Sequence, residues 1–135
     1  MAKPNRDHMI DVARQIWAVA PEMSPGSVER MMSFCGGDLV MEWPFGPPEP
    51  CVGKPAARDF LLANLVEFDA FVNEGVFCDE AQGTVIAMGY SQGRNPRSGK
   101  PYRNRYVLVF QFGEDGLIHR WYEYLNPIAV LAAAE

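Results

Sequence analysis

A chain of 135 residues with 48% hydrophobic and 21% charged side chains has the size and balance of one folded unit around one core. Its formal charge of -5, spread without long runs, excludes a basic phosphate-binding surface, so nucleic acid is not an expected partner. No apolar stretch approaches the ~20 residues of a membrane span, and residues 1–8 lack the apolar core of a signal peptide, so a cytoplasmic, membrane-free protein is expected.

Residues 5–20 repeat apolar side chains at Met9, Val12, Ile16 and Val19 with charged residues between them, which predicts an amphipathic helix. Ser24-Pro25 is a cap and first-turn signal. It predicts a second helix carried by Val28, Met31, Met32 and Phe34, which Gly36-Gly37 stops. Residues 39–43 read as a short strand, and residues 44–50, with four prolines and a glycine, as a stiff loop. Pro55 suits a helix first turn, and Ala57, Phe60, Leu61, Asn64, Leu65 and Phe68 share one side of a third helix. Residues 68–78, 84–92, 102–112 and 117–125 are rich in aromatic and β-branched side chains and predict an antiparallel meander. Asp115-Gly116 turns between the last two strands, residues 93–101 form a longer hairpin loop, and residues 128–134 add a final helical turn after Pro127.

Helices followed by strands, with no repeat or linker, predict a single α+β domain over residues 1–135. Three helices from the amino-terminal half cover the concave face of a curved antiparallel sheet. Such a cone is closed at one end and open at the other, a shape suited to a small molecule. Alternation puts Asn104, Tyr106, Leu108, Phe110 and Phe112 inside, and groups His119, Trp121, Glu123 and Leu125 against Arg120, Tyr122 and Tyr124.

A carboxylate in that interior loses solvation, which favours its neutral form and brings it toward the range useful for proton transfer. Glu123 is the candidate. The alternative is a Glu123 at the mouth of the cone, paired with Arg103 or Arg105. Asn126 either points into the pocket or caps the terminal turn. Trp17, Trp43, Phe45, Phe60, Tyr90, Phe110 and Trp121 read as a binding wall when set beside inward polar groups at Asn104, Tyr106 and Glu123. Without a void they are simply core.

Two histidines, His8 and His119, without metal-ligand spacing make a metal centre unexpected, and His119 reads as structural. Cys35, Cys51 and Cys78, odd in number and without CxxC spacing, read as buried reduced thiols, with a nucleophilic cysteine as the alternative. The Gly-Tyr-Ser-Gln-Gly segment at 89–93 matches the GxSxG pattern but lies in a strand rather than at a strand-to-helix turn, so it is discounted.

The order of these elements resembles the nuclear transport factor 2-like (cystatin-like) superfamily across nearly the whole chain. The resemblance rests on Glu42-Trp43-Pro44-Phe45-Gly46 at a strand end, Gly53-Lys54 before the third helix, and the Glu114-Asp115-Gly116 turn. It is most like the bacterial SnoaL-like branch, which includes polyketide cyclases, ketosteroid isomerase and the phenazine biosynthesis A/B proteins. The resemblance implies a cone-shaped fold, a homodimer through the outer sheet face, a small apolar cyclic ligand and cofactor-independent proton transfer. The isomerase's catalytic aspartate, its helix tyrosine and its protonated aspartate fall on Trp43, Trp17 and Leu108, so steroid isomerisation is not implied. The acidic tail segment of the phenazine proteins matches Tyr122-Glu123-Tyr124-Leu125-Asn126, which gives Glu123 an acid/base role, while their third-helix histidine falls on Phe60.

The combined expectation is a cofactor-independent isomerase, cyclase or dehydratase-like enzyme. Glu123 moves a proton, while Tyr106, Asn104 and Asn126 orient a carbonyl or hydroxyl. A non-catalytic binding or dimerisation domain of the same fold is the alternative, and its mark is an interior filled by Trp43, Trp121 and Phe110. Arg120, Tyr122 and Tyr124 on the outer face suit the homodimer contact.

Overall fold

The computed structural model describes residues 4–46 and 48–134; residues 1–3 of the amino-terminal segment, Pro47 of the proline loop and residue 135 lie outside the described residues. Helix α1 (Arg6–Val19) starts where the Asn5 side chain accepts from the His8 amide, and buries Met9, Val12, Ala13, Ile16 and Trp17 along one side. Ser24 and Ser27 cap α2 (Pro25–Met32) reciprocally, with Pro25 in the first turn. That helix ends at Met32, so Phe34 lies past it. Its carbonyl instead accepts from the amide of Ile118, and β1 (Cys35–Glu42) begins at once, running through the glycine pair that was expected to mark a break.

A two-residue strand β2 (Cys51–Val52) folds back antiparallel on β1 through Val40 and Met41, a pairing hidden in the sequence by its shortness. Gly53, at φ +94°, turns the chain into α3 (Lys54–Ala63), a backbone state that glycine adopts at little cost. The helix stops at Ala63, so Leu65 and Phe68 lie beyond it, with Phe68 already in β3.

The meander follows as β3 (Glu67–Asp79), β4 (Thr84–Arg94), β5 (Pro101–Phe112) and β6 (Ile118–Tyr124), closed by helix α4 (Pro127–Ala134). The six strands lie in the order β2-β1-β6-β5-β4-β3, antiparallel throughout except where β1 runs parallel to β6. The result is the expected mixed α+β architecture, with four helices rather than three against a curved, unclosed sheet. Among the described residues, no helix is long and apolar enough to cross a membrane.

Alternation holds along β5, where Tyr102, Asn104, Tyr106, Leu108 and Phe110 are buried and their neighbours face outward. Along β4, Val85, Ala87, Gly89 and Ser91 are the buried set. A Cβ on Gly89 would stand 1.9 Å from the Val72 carbonyl oxygen and 2.6 Å from the Trp17 ring, so the missing side chain lets the indole of α1 lie on the sheet. The core below it holds Met9, Ile16, Met32, Leu39, Met41, Phe110 and Ile118, each almost wholly buried. Each large side chain of this kind contributes about 1.5–3 kcal/mol by leaving water.

The grouping of His119 with Trp121, Glu123 and Leu125 does not survive. Phe112 pairs with Ile118 and Gln111 with Arg120, which leaves His119 as the extra residue of a bulge. Ile118 and Trp121 therefore both point inward, and His119 turns out to meet Asp38 at 2.6 Å and Asp115 at 2.9 Å.

Candidate ligand cavity

The helices do not fill the cone. Between α1, α3, α4 and the inner wall of the sheet lies a mostly apolar cavity of about 300 Å³, within the range of small-molecule sites. Trp17 stacks tilted on Phe71 at 4.7 Å and Trp43 on Phe60 at 4.5 Å, and all four side chains line the space. Trp121 joins them, held edge-on at 4.8 Å by Phe110 behind it. The indole N–H of Trp17 is buried and has no partner among the described residues.

Glu123 is the acidic residue in this lining. Its Oε2 accepts from the Trp43 indole at 3.0 Å and its Oε1 from the Trp121 indole at 3.1 Å. The residue keeps some solvent contact, but protein atoms so surround the carboxyl that desolvation raises its pKa above 4.5, against the lowering effect of the two indoles. An indole is neutral, so neither donor compensates the charge as an arginine would. The alternative partners are elsewhere: Arg105 pairs with Glu74 at 2.7 Å and lies over the Tyr90 ring, and Arg103 is exposed.

Of the predicted site residues, Trp17, Trp43, Phe60, Tyr106, Trp121 and Glu123 line the cavity, and five others do not. Phe45 is 66% exposed and packs edge-on against Tyr124, because the chain turns outward at Pro44. Tyr90 stands on the outer face of β4, opposite in parity to Gly89 and Ser91. Phe110 is fully buried core. Asn104 is buried as a brace: its side chain donates to the Asn126 carbonyl at 3.0 Å and accepts from the Asn126 amide at 2.8 Å. The Asn126 side chain accepts from the Ile128 amide at 3.0 Å, so it caps the start of α4 instead of facing the pocket.

The sequence reading missed several cavity residues, Tyr102 and Phe71 among them. Tyr102 shares the parity of Asn104 and Tyr106, a usable signal; its hydroxyl accepts from Tyr106 at 3.1 Å. Phe71 gave no such signal, since register shifts on either side of it in β3 disrupt alternation. Ser91 of the GxSxG-like segment lies within β4 and bonds Tyr106 at 2.8 Å. All three cysteines are free thiols. Cys35 is buried, which pushes it up to about 12, whereas Cys51 and Cys78 are only half-buried. No group of three or more potential metal-ligating side chains occurs among the described residues.

A family model described as the SnoaL-like domain matches residues 16–121. The chain is 31% identical over 101 residues to the uncharacterized protein YesE of Bacillus subtilis strain 168, across 71% of this chain and 68% of that one. A solved structure named "Putative Isomerase", also from Bacillus subtilis, superposes with a TM-score of 0.81 at 24% identity, covering 95% of this chain and 93% of its own. A "Putative SnoaL-like polyketide cyclase" from Jannaschia sp. CCS1 superposes at 0.78 with 14% identity, covering 98% and 95%. At these identities the structural likenesses establish the fold.

Proposed function

Because the chain belongs to the SnoaL-like domain family, which has the nuclear transport factor 2-like fold, we propose that it binds a small, largely apolar cyclic metabolite and acts on it as a cofactor-independent isomerase, cyclase or dehydratase-like enzyme. The observation that carries this reading is the Glu123 carboxyl, held between two indole N–H groups inside an apolar cavity with no cationic partner among the described residues. A carboxylate there is a stronger base than in water, and excluding water keeps the proton it takes available for return. In the proposed step Glu123 takes a proton from a ring carbon next to a carbonyl, the C–H electron pair moves toward the carbonyl oxygen, and the proton is returned elsewhere on the same framework. Atoms and electrons balance within the substrate, and the aromatic wall supplies binding.

Support for a ligand site over a filled domain comes from the void itself, since Trp43 and Trp121 border the cavity where the alternative has them occluding it. Deuterium uptake tests the chemistry without the natural substrate. 1-Tetralone, a bicyclic ketone, incubated with the protein in heavy water gains deuterium next to its carbonyl faster than with buffer, and Glu123→Gln removes the acceleration. Equal rates with and without the wild-type protein count against proton transfer.

The homodimer belongs to the same proposal. Ile86, Met88 and Val107 stand 36–37% exposed on the outer sheet face, beside Tyr122 and Tyr124; that surface suits a second copy of the chain. Light scattering at micromolar concentration is expected to give twice the chain mass, and a monomer refutes it.

A further inference from the structure

Hydrogen-bond directions on the inner wall leave one proton unused. Asn104 donates from Nδ2 to the Tyr102 hydroxyl oxygen at 2.9 Å, and the Tyr106 hydroxyl donates to the same oxygen at 3.1 Å. A tyrosine has one proton to give, so Tyr106, having given its own to Tyr102, must accept from Ser91 Oγ, 2.8 Å away. Tyr102 thus receives two hydrogen bonds and gives none among the described residues. Its side chain lines the cavity, and the residue is only 8% exposed. A nearly buried hydroxyl without an acceptor is an unmet demand, and the cavity that Tyr102 lines is where a ligand could meet it.

We infer that Tyr102 donates its hydroxyl proton to an oxygen on the ligand, which makes the substrate class a ring carrying a carbonyl or hydroxyl rather than a plain hydrocarbon. The inference rests on the reading of the cavity as a ligand site. Ser91, Tyr106 and Asn104 are positioning residues. The first two form a chain whose bonds all run toward Tyr102, and each accepted bond polarises the next donor. Asn104 holds the phenol from the side while its own amide is fixed to the backbone of Asn126. Tyr102 and Glu123 come from adjacent strands, and Leu108, six positions along from Tyr102, is the cross-strand partner of Glu123. Both groups therefore belong to one wall of the cavity, and negative charge that develops on an oxygen held at the phenol as Glu123 takes the proton falls on a prepared donor.

The test compares 1-tetralone with tetralin, the same framework without the oxygen, by quenching of the cavity tryptophans. Tyr102→Phe is expected to weaken the ketone about ten-fold, about 1.4 kcal/mol, the size of one hydrogen bond, and to leave tetralin unchanged. The Tyr106→Phe variant keeps the phenol at 102 and is expected to weaken the ketone by a smaller factor. The carbonyl stretch of bound 1-tetralone should lie lower in the wild type than in Tyr102→Phe. Equal weakening of both probes by Tyr102→Phe overturns the donor role and leaves the ligand site standing. If the variant does not fold, a wild-type carbonyl band at its position in a non-hydrogen-bonding solvent overturns the role instead. Failure of the wild type to bind either probe overturns the ligand-site reading and the inference with it.

Discussion

Trp43 meets Glu123 because β1 runs parallel to β6. Met41 lies opposite Trp121 and Glu42 opposite Tyr122, and one more step along both strands brings the Trp43 indole N–H to 3.0 Å from Oε2 of a residue 80 positions away. The second donor, Trp121, stands two positions before Glu123 on the same face of β6 and reaches Oε1 at 3.1 Å. The carboxylate is thus both a chemical group and the acceptor that two buried indoles require.

That double role bears on Glu123→Gln. The amide oxygen can accept from one indole, but its NH2 then faces the other N–H, donor against donor. We expect a loss of about 1–3 kcal/mol, the cost of one unsatisfied buried donor, as a lower urea midpoint with an unchanged slope. An unchanged midpoint would show that the indoles do not depend on the carboxylate.

The pH dependence of deuterium exchange should carry the signature of a desolvated base. Glu123 acts when ionised, and its pKa lies above 4.5 because burial outweighs the two indole hydrogen bonds. The rate should therefore rise through an ionisation above the ordinary glutamate range. Trp43→Phe removes one of the opposing hydrogen bonds and should move that limb to higher pH. A limb at or below 4.5, or one that Trp43→Phe moves down, contradicts this assignment.

His119 and Asp115 predict a window of stability. The hydrogen bond to Asp115, and then that to Asp38, raise His119 above 6.5 against a lowering by desolvation; the same His119 bond lowers Asp115 below 3.8. The histidine contribution is complete below 6.5 and is lost as pH rises through its folded value. The aspartate contribution is complete above 3.8 and is lost as pH falls through its folded value. Both are present between about 3.8 and 6.5. Melting temperature should decline above that window in the wild type and decline less in His119→Gln; parallel curves would assign the decline to other groups.

Gly89→Ala tests the seat of Trp17. The added carbon would stand 1.9 Å from the Val72 carbonyl oxygen, so β3 or α1 must move, at a cost of at least about 1–3 kcal/mol. Loss of stability with a shifted tryptophan emission is the expected result, and wild-type stability would show that the contact relaxes freely.

Local patterns made much of this molecule legible. A period of 3.6 exposed the buried side of α1, a period of two sorted β5 into Tyr106 and Leu108 inside and Arg105 and Val107 outside, and the same period put Glu123 on the face of Trp121. These follow from backbone geometry that every residue shares, so a single chain suffices to read them. Where the backbone departs from the regular repeat, the reading failed: the bulge at His119 reversed its side, and shifts in β3 hid Phe71. Tertiary structure alone decided the rest. Parallel pairing of β1 with β6 brought Trp43 to Glu123, the outward turn at Pro44 removed Phe45, and the Asn104 amide went to brace the Asn126 backbone. Contacts between distant segments depend on which strands become neighbours and how helices tilt against them, and the free energy choosing among those arrangements is summed over the whole core rather than written in any local stretch.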